Sequence, residues 1–108
     1  MPITQLSPTE LKTKLDQQRE NLILLDVREP FEFKHTNIAG SQLIPLNQIP
    51  ARLSELDMEQ EIVLICHHGM RSMQAAQFLS QVGFTKINNL VGGIDAWSLE
   101  CDSSVARY

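Results

Sequence analysis

Two short runs of almost unbroken apolar residues organise this chain: Leu22-Ile23-Leu24-Leu25-Asp26-Val27 and Glu61-Ile62-Val63-Leu64-Ile65. Neither alternates with polar residues, so each reads as a strand buried on both faces, the pattern of parallel sheets. Thr85 to Val91 is a third strand candidate, closed by Gly92-Gly93. Helical spacing appears between the strands. From Ser72 to Val82, the residues Ala75, Leu79 and Val82 line one side, Ala76 and Phe78 adjoin them, and Gly83 stands just past the end. Ser7-Pro8-Thr9-Glu10 is a helix start signal, followed by Leu11 and Leu15 at helical spacing. Pro30 opens a short helical turn, Ile38 to Ser41 is a turn, and Leu43-Ile44-Pro45 is a short extended piece. Leu53 and Leu56 predict a helix over Pro50 to Leu56, and Ile94 to Leu99 predicts a last short one. Asp102 to Tyr108 is polar and irregular.

Strands alternating with helices imply an α/β fold, a parallel sheet with helices on its faces. Ligands of such folds bind beyond the carboxyl ends of the strands. Two stretches fit that place, the residues after Val27 and those after Ile65. Composition narrows the picture. With 108 residues and 43% apolar content, residues 1–108 are expected to form one domain. A net charge of -4 is too modest for a disordered acidic chain and offers nothing to a phosphate backbone, so nucleic acid is not an expected partner. No apolar run approaches the roughly 20 residues of a membrane helix. The opening Met-Pro-Ile-Thr-Gln does not resemble a secretion signal, so a cytoplasmic location is expected and a membrane partner is not.

The candidate chemistry lies in Cys66-His67-His68-Gly69-Met70-Arg71-Ser72. A buried strand ends, a cysteine follows at once, and a tight loop with one glycine leads into a helix. Inward-pointing amides of such a loop form an anion nest, and the helix N-terminus adds its free N–H groups and positive dipole end. A cysteine there should favour its thiolate. Arg71 supplies a fixed charge and a fork of donors for an anionic substrate. Gly69 permits the turn where a side chain would intrude.

This loop resembles the active-site loop of single-domain rhodaneses, a sulfurtransferase family. Other stretches match the family's pattern in order: Leu25-Asp26-Val27-Arg28-Glu29 with Glu32, Asn37-Ile38-Ala39-Gly40-Ser41, Gly83-Phe84, and Gly92-Gly93-Ile94-Asp95-Ala96-Trp97. Thr36 and Asn37 depart from the family's Gly-His at that turn. The resemblance implies a three-layer fold, with a mostly parallel sheet of about five strands and helices on both faces. It implies a double displacement in which Cys66 takes the outer sulfur of a donor such as thiosulfate as a persulfide and passes it to a thiol or cyanide. The amides of His67, His68, Gly69, Met70 and Ser72 would bind the substrate, with Arg71 closing the bowl and no cofactor needed. Related phosphatases and arsenate reductases carry five residues between the cysteine and the arginine. Here there are four, which favours a sulfur atom over a tetrahedral phosphate.

Plainer readings stand beside these. A cysteine is often a small buried hydrophobe, and Cys101 is read as a bystander rather than a resolving thiol. The adjacent His67 and His68 could suggest a metal, but neighbouring residues seldom converge on one ion and no second ligand cluster is present, so none is expected. Asp26 and Arg28 are read as supporting residues in an ion-pair network, Arg28 with Glu32, rather than as substrate contacts. Trp97 is read as packing. Two functional alternatives remain open: a non-catalytic binding module, and a relay loaded by a cysteine desulfurase that passes sulfur to proteins of tRNA thiolation or cofactor biosynthesis. The first would dock on a partner protein without turnover; the second would act through a protein sulfur donor or acceptor.

Overall fold

A computed structural model describes residues 3–108. The two apolar runs form the centre of the sheet, strand β2 over Leu22–Asp26 and β4 over Glu61–Ile65. They pair in parallel, with Leu24 opposite Val63 and Asp26 opposite Ile65. Strands β1 (Thr4–Leu6), β3 (Gln42–Leu43) and β5 (Ile87–Leu90) complete a five-stranded parallel sheet of order β1-β5-β4-β2-β3. Alternation along β4 serves both faces. Ile62 and Leu64 pack with Leu25, Ile87 and the helix α3 (Met70–Gln81), while Val63 and Ile65 pack with Leu24, Leu90 and the helices α1 (Pro8–Gln18) and α4 (Gly93–Glu100). These side chains are almost wholly removed from water, and each such Leu or Ile contributes about 1.5–3 kcal/mol. Helices on both faces of a parallel sheet make this the three-layer α/β fold expected.

Local signals set the helix limits. Ser7 caps α1 through the Glu10 amide, and the Glu10 carboxylate returns to the Ser7 amide at 2.8 Å, a complete capping box. The helix α2 (Pro30–His35) starts in the same way from Glu29 and Glu32. At the end of α3, Gly83 takes φ +111° and donates to the Ser80 carbonyl, and Phe84 donates to that of Leu79. That is a Schellman ending, with Phe84 and Leu79 sharing the core.

The structure corrects several expectations. Pro50–Glu55 is a 3₁₀ segment broken at Arg52, not an α-helix, because Leu53 and Leu56 alone give it too little to bury. Helix α3 begins two residues before Ser72, and Val82 is exposed at its end rather than lining the buried side. The third strand is shorter than Thr85 to Val91, and β1 joins the sheet at an edge where no strand was expected.

Candidate active site

Cys66 follows β4 directly, so the carboxyl end of the central strand delivers its sulfur to the α3 N-terminus. The side chain is buried. The Gly69 amide donates to Cys66 Sγ at 3.0 Å, and the Ser72 Oγ lies 3.3 Å from it. Gly69 adopts φ +105°, the left-handed conformation that glycine tolerates. The helical ladder of α3 starts with Met73 N–H donating to the Gly69 carbonyl. The amides of Met70, Arg71 and Ser72 therefore have no acceptor within the helix and leave at the end that meets the sulfur. The opposite side of the loop is held by α4. Ile94 N–H donates to the Cys66 carbonyl at 2.8 Å and Asp95 N–H to that of His67 at 3.2 Å. Those carbonyls are thus turned away from the sulfur, which is what an amide-lined bowl requires. Gly93 makes the approach possible, since a Cβ there would overlap both carbonyl oxygens.

Behind the bowl, Ser72 Oγ–H donates to Asn89 Oδ1. Asn89 is itself fixed by donating to Gln5 Oε1 at 3.1 Å and to the Gly69 carbonyl. Asn89 sits on β5 and was not among the residues expected in the site. Its signal is a polar pair, Asn88-Asn89, inside a strand buried along its whole length.

Arg71 is not free. Its guanidinium donates two hydrogen bonds to the Glu32 carboxylate, at 2.7 and 2.9 Å. Glu32 also accepts from the Glu29 amide and, at 2.7 Å, from the Tyr108 hydroxyl. Tyr108 in turn accepts from Arg28 Nη1 at 2.9 Å. Arg28 has no exposed surface and is clamped by Asp26 through three bonds of 2.6–3.0 Å. Asp26 and Arg28 do lie in an ion-pair and hydrogen-bond network; the ion-pair partner of Arg28 is Asp26, and Arg28 meets Glu32 only at its backbone carbonyl, at 3.4 Å. Spacing favoured Glu32 because it lies one helical turn on; Asp26 wins because its side chain leaves the same strand end into the same buried space. The Arg71 guanidinium, opposed by burial and helped by the Glu29 amide and the Tyr108 hydroxyl, holds the Glu32 carboxyl down to about 2. Glu32, and to a smaller extent Cys66, strengthens the hold of Arg71 on its proton.

The histidines form the rim. The His67 ring lies between those of Tyr108 and His68, with centroids 3.9 and 4.0 Å away. Burial, with the neighbouring His68, lowers the affinity of His67 for a proton, so at neutral pH it is an uncharged wall. His68 and Met70 are exposed. A cleft of about 430 Å³ opens beside Gly69 between Gln5, Met70, Met73 and Asn89. A larger one of about 500 Å³, lined by Asp57, Glu59 and Lys86, lies at the other end of the sheet and holds no nucleophile. Cys101 ends α4, seven residues after the Ile94 that touches Cys66, and at 1.5 Å per residue it stands roughly 10 Å along the helix. Trp97 packs in the core against α1, as expected. No group of three His, Cys, Asp or Glu side chains suited to a metal occurs among the described residues, and no described helix is long and apolar enough to cross a membrane.

Comparison with known proteins agrees with this geometry. The model of the rhodanese-like domain matches residues 7–100. The chain is 38% identical over 79 residues to a sulfurtransferase of Allochromatium vinosum, covering 73% of this chain and 74% of that protein. It is 30% identical over 89 residues to the thiosulfate sulfurtransferase GlpE of Pseudoalteromonas translucida, covering 82% and 85%. The human single-domain sulfurtransferase TSTD1 superposes with a TM-score of 0.83 at 25% identity, covering 92% and 98%. The chain spans only 38% and 51% of two other curated relatives. A match across most of the chain, relatives named as sulfurtransferases and a shared fold together place this chain in the rhodanese-like domain family.

Proposed function

We propose that the chain is a sulfurtransferase that carries sulfane sulfur on Cys66. The observation that supports this most directly is the buried Cys66 sulfur, which accepts the Gly69 amide at the mouth of a helix N-terminus. The Cys66 thiolate attacks the outer sulfur of a donor such as thiosulfate. The donor's S–S bond breaks, sulfite leaves with the electron pair, and Cys66 becomes a persulfide bearing the negative charge. Cyanide or a thiolate then attacks the terminal sulfur, leaving as thiocyanate or a new persulfide and restoring the thiolate. The amides of His67 to Ser72 stabilise the anion in both halves, splitting one difficult transfer into two. Ser72, whose hydroxyl rests on Asn89 3.3 Å from the sulfur, turns that proton toward the charge as it forms.

Thiocyanate formation from thiosulfate and cyanide tests this. The native chain is expected to turn over, and Cys66→Ser to lose all activity above the uncatalysed rate. A Cys66→Ser protein of native activity would overturn the proposal. If no turnover occurs with thiosulfate, the same assay with a cysteine desulfurase and cysteine as donor separates a relay from a binding module.

A further inference from the structure

We propose that Glu32 is a specificity-determining residue that offsets Arg71, so that the site favours sulfane donors of single negative charge, such as persulfides, over the thiosulfate dianion. This rests on the sulfurtransferase reading and deepens it. Arg71 is the one cation that opens α3 beside Cys66, yet both terminal nitrogens of its guanidinium are committed to Glu32. The carboxylate cannot swing away readily, because the Glu29 amide and the Tyr108 hydroxyl hold it from two further sides. Tyr108 is anchored by the buried Arg28–Asp26 pair and by its stacking on His67. The family match ends at residue 100, so Tyr108, the far side of this clamp, lies outside the matched region.

Facing the sulfur there are then neutral amides and an ion pair of no net charge. A bowl of amides accommodates one negative charge well. The second charge of thiosulfate meets no free cation, only the field of a compensated pair within a chain whose formal net charge is -4. Arg71 keeps its geometry as a wall while its long-range attraction is cancelled. A donor that presents one charge loses little by this, and a dianion loses more.

Methanethiosulfonate provides the matched probe. It has the tetrahedral sulfonyl sulfur of thiosulfate with a methyl group in place of one charged oxygen. Attack by the Cys66 thiolate breaks its S–S bond and releases methanesulfinate with the electron pair, giving the same persulfide. The experiment measures kcat/KM of the full chain with both donors at fixed cyanide, for native protein, Glu32→Gln and Glu32→Asp. Removing the carboxylate charge is expected to raise the thiosulfate to methanethiosulfonate ratio at least about tenfold, a factor that one unit charge already gives from roughly 12 Å at an effective dielectric near 20. Glu32→Asp keeps the charge and is expected to keep the ratio within about twofold of native, even if both rates fall. Arg71→Gln leaves the carboxylate unopposed and shifts the ratio about tenfold in the opposite direction, so the charge balance is read even if Glu32→Gln folds poorly. Equal changes with both donors in Glu32→Gln and Arg71→Gln would reduce Glu32 to a structural part and overturn the inference. Failure of native protein to load Cys66 from either donor, and from a cysteine desulfurase with cysteine, would instead overturn the sulfurtransferase reading beneath it.

Discussion

Gly93→Ala tests the most constrained contact in the site. Gly93 has φ +62°, and its Cα faces the Cys66 and His67 carbonyls so closely that a methyl group would overlap both oxygens. The left-handed conformation alone costs an alanine roughly 1–2 kcal/mol. To relieve the overlap, α4 must retreat from the loop. That gives up the bonds from Ile94 and Asp95 N–H to those carbonyls, each contributing roughly 0.5–1.5 kcal/mol. The total of roughly 2–5 kcal/mol is a large part of the 5–15 kcal/mol that usually holds a domain together. At about 4–8 °C per kcal/mol, the melting temperature should fall by roughly 8–40 °C. Thermal unfolding followed by circular dichroism reads this directly. Gly92→Ala is the companion variant. It also has positive φ, but its new methyl meets the Ala96 side chain at 2.6 Å rather than the loop backbone. It should cost less and leave the Cys66 loop in place. Sulfur transfer should therefore suffer more in Gly93→Ala than in Gly92→Ala when both are assayed well below their melting points. A Gly93→Ala protein within about 1 kcal/mol of native would show that α4 does not brace the loop, and the account of its outward carbonyls would fail.

Two further outcomes follow from the same contacts. The Glu32 carboxyl is held near 2 in the folded chain against an ordinary 4.5. A depressed value contributes stability above the ordinary one that is lost as pH falls through the depressed one. Acid should thus remove roughly 2–3 kcal/mol between pH 4.5 and 2, allowing for the partial exposure of Arg71; urea unfolding at those pH values checks it, and Glu32→Gln should flatten that fall. Ser72→Ala leaves the Asn89 carbonyl oxygen buried without its donor and removes the hydroxyl beside the Cys66 sulfur. It should cost about 1–3 kcal/mol in chemical denaturation and slow persulfide formation at least severalfold, with equal loss of stability but unchanged kinetics counting against the catalytic use of Ser72.

What could be read from the sequence divides along physical lines. Contiguous, strongly biased signals were legible. The β2 and β4 runs are buried on both faces, the Ser7–Glu10 capping box is complete within four residues, and the cysteine loop between a strand and a helix carries its own geometry. Features that depend on distant pairing were not. Strand β1 has three residues, of which only Leu6 is buried, and it exists because Gln5 pairs with Asn89, 84 positions on. Arg28 chose Asp26 over Glu32 because burial brings a neighbouring carboxylate into the same pocket, which spacing alone does not show. Tyr108 is a single aromatic in a polar tail, and nothing local announces that it stacks on His67 and bridges Arg28 to Glu32. The two acidic helix starts illustrate the same limit. Glu10 ends its role as a cap, whereas Glu32 closes a cap and also holds the cation beside Cys66.

The central claim, that Cys66 carries the transferred sulfur, is tested most directly by intact-protein mass spectrometry after incubation with thiosulfate, on native chain and Cys66→Ser. The account predicts a gain of one sulfur atom on the native chain, its absence in Cys66→Ser, its persistence in Cys101→Ser, and its removal by cyanide. A sulfur adduct that survives in Cys66→Ser, or that disappears in Cys101→Ser instead, would contradict it.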